Sequence, residues 1–198
     1  MNPPHAHAPT PGSSSLPERT QILDAARIER KLQRMAREIR ERHYLDDSLI
    51  CVGIAGEGEA VCGRLVQILR EISDSAIHKY TLEIHKQDPA KHPVRLLNET
   101  GEVVNASVCT QQAVVLVDDV LNSGRTLIYG VKFLLEFAPA RLSTTVLIDR
   151  IHRSFPVRAD ICGLSLSTSL KEHIRVVWGT QGGRDGGPGT QAEAYLEA

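Results

Sequence analysis

The sequence has no apolar run that approaches membrane length, and its start lacks the charged-then-apolar pattern of a secretory leader. Both absences predict a cytoplasmic protein with no membrane partner. The four cysteines, Cys51, Cys62, Cys109 and Cys162, are scattered without metal-ligand spacing. Cys51, Cys62 and Cys162 stand among apolar residues, which predicts reduced core thiols. Net charge is also scarce. The 23 Lys and Arg nearly balance the 24 Asp and Glu, for a formal charge of −1. That gives no global electrostatic case for nucleic acid, though it leaves room for a local basic face. No internal repeat is visible. What remains is a chain of 198 residues, 41% hydrophobic and 24% charged, enough for one sizeable globular domain.

The most informative stretch runs from Val114 to Thr126. Val114 to Val117 form an apolar, β-branched run suited to a strand buried on both faces. Two adjacent carboxylates follow, Asp118 and Asp119, and then the small-residue loop Asn122-Ser123-Gly124 leading into Arg125 and Thr126. Leu127, Val131, Leu134 and Leu135 then recur at helical spacing. A loop at the start of a helix offers free backbone N–H groups and the positive end of the helix dipole to a phosphate. Ser123 and Thr126 add hydroxyls, and Gly124 permits close backbone approach. Carboxylates beside a phosphate site suit a ligand whose phosphate is attached to a sugar: they accept hydrogen bonds from ribose hydroxyls and tolerate magnesium. A buried strand ending in solvated aspartates accounts for the apolar run, but not for the paired acids followed by a phosphate-type loop.

Residues 1 to 17 are rich in Pro, Ala, His and Ser and predict a disordered tail; His5 and His7 belong to it. The remainder, 18–198, reads as one domain. Ile22 to Tyr44 has helical spacing through Ile28, Leu32, Met35 and Ile39, with its other faces crowded by Arg and Glu. That predicts a solvated face with i,i+4 ion pairs, and an RNA-binding surface is the sharper alternative. Leu49 to Ile54 is a second buried strand. It enters Ala55-Gly56-Glu57-Gly58, and a helix with Val61, Leu65, Ile68 and Leu69 inward follows. The glycine spacing is a poor dinucleotide fingerprint, and Glu57 and Glu59 would repel a pyrophosphate. Tyr80 to Lys86 reads as a third strand, and Gln87 to Gln112 as a lid or an extended hairpin. Leu142 to Ile148 is the next strand. The ionisable segment Asp149 to Asp160 follows it, where α/β sheets place ligands. His173 to Trp178 and Ala192 to Leu196 are late strands around a glycine-rich connector. Strands alternating with helices predict an α/β domain with a mainly parallel sheet flanked by helices, its ligand at the carboxyl ends of the strands.

The 114–126 stretch resembles the phosphoribosyl-pyrophosphate (PRPP) motif of the type I phosphoribosyltransferases: four apolar residues, two acids, and a small-residue loop ending Gly124-Arg125-Thr126. Within that family the chain resembles the PyrR group over about residues 20 to 178. The likeness is carried by this motif, by Ile22-Leu23-Asp24, by Val146 to Asp160, and by Ser167-Thr168-Ser169. The resemblance implies the family fold with a small hood and a flexible lid. It implies transfer of ribose 5-phosphate from PRPP to a nucleobase, uracil for this group, with Mg2+ as cofactor. It implies that Asp118 and Asp119 are the catalytic acids and touch the metal mainly through PRPP and water. It gives the 5′-phosphate to Asn122, Ser123, Gly124, Arg125 and Thr126, and the pyrophosphate to Ala55, Gly56, Glu57 and Gly58 with Lys86. It gives the base to Asp149, Arg150, Val157 and Asp160. It implies a homodimer or larger homo-oligomer. It also implies an alternative, an RNA-binding or nucleotide-sensing regulator of pyrimidine genes with weak catalysis, resting on Arg34, His152 and Arg158. The chain departs from the family at the pyrophosphate loop. Glu57 stands where an arginine is usual, and Ala55 where a basic residue is common.

Overall fold

The computed structural model describes residues 19–167, 172–179 and 192–197. The expected tail over 1–17, Thr168 and Ser169, and most of the glycine-rich connector lie outside the described residues. In chain order the elements are β1 (Arg19–Leu23), α1 (Ala25–Arg42), β2 (Ser48–Ile54), α2 (Glu57–Ile72), β3 (Ala76–Glu83), β4 (Arg95–Leu97) and β5 (Val103–Val104). A short 3-10 turn over Ala106–Cys109 leads to β6 (Ala113–Leu121), α3 (Arg125–Leu135), β7 (Arg141–Arg150), β8 (Ile161–Leu166), β9 (His173–Trp178) and β10 (Ala192–Glu197).

Seven strands form the central sheet in the order β5-β4-β3-β2-β6-β7-β8. The five from β3 to β8 run parallel, and β4 and β5 add antiparallel at one edge. β6 is buried on both faces, as its apolar run requires. Val115 and Val117 point to the core beneath α1 and α2, with Leu32, Met35, Leu65 and Leu69. Val114 and Leu116 point the other way, to Leu127 and Leu134 of α3. The remaining strands, β1, β10 and β9, make a separate antiparallel sheet. Its inward side chains Leu23, Ile174, Val176 and Ala194 join the α1 and α2 side of the core. This second sheet is the expected hood.

Three elements differ from the sequence reading. Ile22 and Leu23 are in a strand rather than a helix. β1 pairs with β10, and Asp24 then starts α1 by accepting a 2.7 Å hydrogen bond from the Arg27 N–H. The third strand begins and ends earlier than expected, because Ala76 to Leu82 pairs with Ser48 to Ile54; Lys86 lies beyond it. β8 is an additional parallel strand beside β7, masked in the sequence by Gly163 and Ser165. Part of the long 87–112 segment is a hairpin, with β4 and β5 extending the sheet. Cys51, Cys62 and Cys109 are buried, and Cys162 is half-buried. On α1, Glu38 pairs with Arg34 at 3.1 Å and with Arg42 at 2.8 Å, the i,i+4 pattern expected of a solvated face. Among the described residues no helix is long and apolar enough to cross a membrane.

Candidate active site

The carboxyl end of β6 opens on a cleft of about 140 Å³, walled by Lys86 beyond β3, Asp118, Asp119, the segment from Asn122 to Thr126, and Ile174 of β9. Asp118 is only 5% exposed. α2 closes over it at Gly58, where a Cβ would lie 2.7 Å from Asp118 Oδ1 and 3.1 Å from its Cα. A glycine is therefore required for this approach. Asp118 Oδ1 accepts a 3.0 Å hydrogen bond from the Asp119 N–H. Burial, and then the Asp119 charge, push the Asp118 carboxyl well above the usual carboxylate range, with Lys86 opposing. Asp119 is half-buried.

The loop after β6 is shaped for an anion. Gly124 has φ 84°, a left-handed conformation that starts α3 without a side-chain cap. Ser123 Oγ accepts from the Arg125 N–H at 3.3 Å. The Ser123 carbonyl accepts from the N–H groups of Ser154 and Phe155, both at 3.0 Å. A Cβ on Gly124 would lie 2.6 Å from Val157 Cγ1. The segment after β7 therefore supports this loop from behind. The Arg125 guanidinium does not turn into the loop. It donates to the Gln87 carbonyl at 3.0 Å and lies 5.5 Å from the Phe155 ring centre.

The second loop, Ala55 to Gly58, sits beside the acidic pair. The Ala55 N–H is held by the Leu82 carbonyl at 3.0 Å, and α2 begins at Glu57, again without a side-chain cap. A Cβ at Gly56 would lie 3.7 Å from Lys86 Nζ, so the ammonium stands over this loop although Lys86 has left its strand. Burial first, and then the Asp119 charge, raise the Glu57 carboxyl, while Lys86 and Arg175 act in the opposite direction. Arg175 of β9 is absent from the residues singled out by sequence. Nothing in its local pattern marks it, because it reaches this region only through the second sheet.

The four expected base contacts separate into two groups. Asp149 and Arg150 end β7, and both are buried. Arg153 Nη2 donates to both Asp149 oxygens, at 2.7 and 2.5 Å, and Arg150 Nη1 donates to Asn122 Oδ1 at 3.0 Å. Val157 packs against Gly124. Asp160 lies apart from them. Its Oδ2 accepts from the Thr144 N–H at 2.9 Å and from Thr144 Oγ1 at 3.0 Å, toward the opposite end of β7. Arg153, passed over in the sequence, is the residue that holds Asp149. Of the three RNA candidates, Arg34 donates to the Cys162 and Gly163 carbonyls. Arg158 is exposed, two residues before Asp160, whose carbonyl accepts from Arg42 at 3.1 Å. His152 is exposed at the other end of that segment.

Among the described residues no group of three or more His, Cys, Asp or Glu is arranged to hold a metal ion. Two carboxylates at one cleft suit a hard cation that keeps several waters and takes its other oxygens from substrate phosphates, which is the habit of magnesium.

The phosphoribosyl transferase domain family matches residues 18–181. The bifunctional protein PyrR of Streptomyces coelicolor is 36% identical over 170 residues, covering 83% of this chain and 86% of that protein. The bifunctional protein PyrR of Geobacter sulfurreducens is 36% identical over 162 residues, covering 80% and 90%. Among solved structures, a hypoxanthine-guanine phosphoribosyltransferase of Bacillus anthracis superposes with a TM-score of 0.60 at 18% identity, covering 79% of this chain and 86% of that one. The hypoxanthine phosphoribosyltransferase of Trypanosoma cruzi gives 0.61 at 18% identity, covering 74% and 81%. These structural likenesses concern the fold alone.

Proposed function

The chain belongs to the phosphoribosyl transferase domain family, in its PyrR-like group, and from that premise we propose that it transfers ribose 5-phosphate from PRPP to uracil, giving UMP and pyrophosphate. One observation carries the reading: the acidic pair Asp118 and Asp119 shares a cleft with the uncapped start of α3. In this reading Asn122 to Thr126 hold the 5′-phosphate through main-chain N–H groups and hydroxyls. Asp118 and Asp119 accept hydrogen bonds from the ribose hydroxyls. The bond from C1′ to pyrophosphate breaks with its electron pair leaving on oxygen, and the base nitrogen forms the new bond at C1′ and loses its proton. Positive charge builds on the sugar ring, and the carboxylates stabilise it electrostatically. When bound, magnesium compensates charge on the leaving pyrophosphate; Asp118 and Asp119 would hold it with waters between. Asp149, fixed by Arg153, and Arg150, fixed on Asn122, are the groups offered to the base. A single domain over 18–198, a homodimer or larger assembly and a cytoplasmic setting belong to the same reading.

The test is pyrophosphate release from PRPP with magnesium across uracil, hypoxanthine, guanine and orotate. Turnover with uracil alone is expected. Turnover with a purine keeps the chemistry and overturns the base. A second reading, a nucleotide-sensing or RNA-binding regulator with weak catalysis, is favoured by Glu57 in the pyrophosphate loop. A groove of about 600 Å³ lined by Arg27, Arg30, Lys31 and Arg34 beside Leu164 and Leu166 gives that reading a basic surface. It expects PRPP or UMP binding without turnover, and loss of RNA binding in Arg34→Ala with Arg158→Ala.

A further inference from the structure

Main-chain N–H groups can only donate to an anion, and hydroxyls rotate to do so. A side-chain amide is different, because it carries an acceptor at one end and two donors at the other. Asn122 is exposed, stands in the cleft wall and is the first residue after β6. Turned by its oxygen to the cleft, its amide repels a phosphate. Turned by its nitrogen, it adds a donor.

The neighbouring strand decides which. β6 and β7 run parallel with Leu121 beside Asp149, so the next residues, Asn122 and Arg150, follow side by side. Arg150 Nη1 donates to Asn122 Oδ1 at 3.0 Å. A guanidinium has donors only, so the amide oxygen is the end that must face it. The Asn122 amide nitrogen is left at the other end and donates to no described residue. Arg150 is only 8% exposed, and a buried charged donor gives up a hydrogen bond at a cost. The adjacent carboxylate, Asp149, is held by Arg153 instead.

We propose that Arg150 is a positioning residue for the phosphate loop: it locks the Asn122 amide with its NH2 group toward the cleft, where that group donates to the phosphate of a sugar phosphate. The inference rests on the PRPP reading of the cleft and gives Arg150 a task separate from its offer to the base. The amide is ordered before the ligand arrives, so binding does not have to orient it. Without Arg150 the amide turns freely and presents either end. Ribose 5-phosphate carries the phosphate without a base, so it isolates this task; UMP carries both.

The experiment is calorimetric binding of ribose 5-phosphate and UMP to the full chain. It compares wild type, Asn122→Ala, Arg150→Met, Arg150→Lys and the Asn122→Ala/Arg150→Met double variant. Loss of one hydrogen bond to a charged group weakens both ligands about 10-fold in Asn122→Ala. Arg150→Met fills the buried volume without the donor and weakens ribose 5-phosphate by a similar factor. Arg150→Lys, again donor-only, recovers part of the loss. The double variant binds ribose 5-phosphate no more weakly than Asn122→Ala, because the two residues act as one unit. Loss of UMP affinity alone in Arg150→Met, with ribose 5-phosphate unchanged, overturns the inference and leaves Arg150 to the base. A loss that persists in the Asn122→Ala background overturns it as a direct effect of the guanidinium charge. Unchanged ribose 5-phosphate affinity in Asn122→Ala, an exposed position, overturns it even where Arg150→Met does not fold by circular dichroism. Each of these leaves the PRPP reading standing. Failure of wild type to bind either ligand removes the reading and the inference together.

Discussion

Two strand–loop–helix turns meet at the cleft, and they manage charge in opposite ways. Both place a glycine at positive φ before the helix, 84° at Gly124 and 94° at Gly56, and neither helix start has a side-chain cap. Each therefore presents about half a positive charge from its helix dipole. Within Asn122 to Thr126 no carboxylate opposes that charge, and hydroxyls reinforce it. At Ala55 to Gly58 the carboxylate of Glu57 opposes it, and the cations stand elsewhere, Lys86 after β3 and Arg175 on β9. In the proposed reading the first loop holds its anion with groups from one short segment, and the second does so only with charges that the tertiary fold brings to it. Backbone geometry alone does not settle what a helix start binds; the side-chain charges around it do.

The comparison can be broken at several points. Asp119→Asn removes the carboxylate that raises Asp118 and, in the proposed reading, faces the sugar. It should lower kcat/KM for PRPP about 10²- to 10³-fold, as loss of one preorganised electrostatic group does, with the fold intact by circular dichroism. Glu57→Arg gives the second loop the charge sign it lacks and should tighten PRPP binding about 10-fold in calorimetry. An unchanged affinity would show that Glu57 does not face the diphosphate. Gly58→Ala drives a Cβ into Asp118 and should cost roughly 1–3 kcal/mol in urea unfolding, from overpacking at an unyielding backbone contact.

The smallest effect concerns pH. The Asp118 carboxyl is raised in the folded protein above its unfolded value of about 3.9. Between those two values the folded state binds the extra proton, so stability falls as pH rises through the raised value. Thermal unfolding should therefore show the ligand-free protein gaining stability on mild acidification from neutral pH. Asp118→Asn should flatten that gain; a profile identical to wild type would count against the buried, charge-crowded state of Asp118.

Legibility followed the same division. β6 and its loop were readable because one contiguous segment carries the buried strand, the acids and the anion loop. α1, α2, α3, β2, β7 and the late strands were readable from periodicity. β1 was read into the start of α1 because Ile22 and Leu23 also fit a helical stripe, and only pairing with β10 distinguishes the two. Asp160 looked like a ligand group because it stands in an ionisable run, but the run travels the length of β7 and ends at Thr144. Arg153 and Arg175 were not legible at all. Arg153 meets Asp149 through a loop reversal, and the Arg175 charge acts on Glu57 only through the second sheet; neither leaves a local mark.

The Ser123 carbonyl receives two N–H groups from the segment that also carries Phe155 and Val157. The phosphate loop and the base-side segment are thus one mechanical unit, and neither shifts without straining the other. Any ligand that reshapes one side changes the affinity of the other, and by linkage the factor is the same in both directions. In the proposed reading phosphate and base share that frame, and order of addition becomes a property of the frame rather than of either ligand.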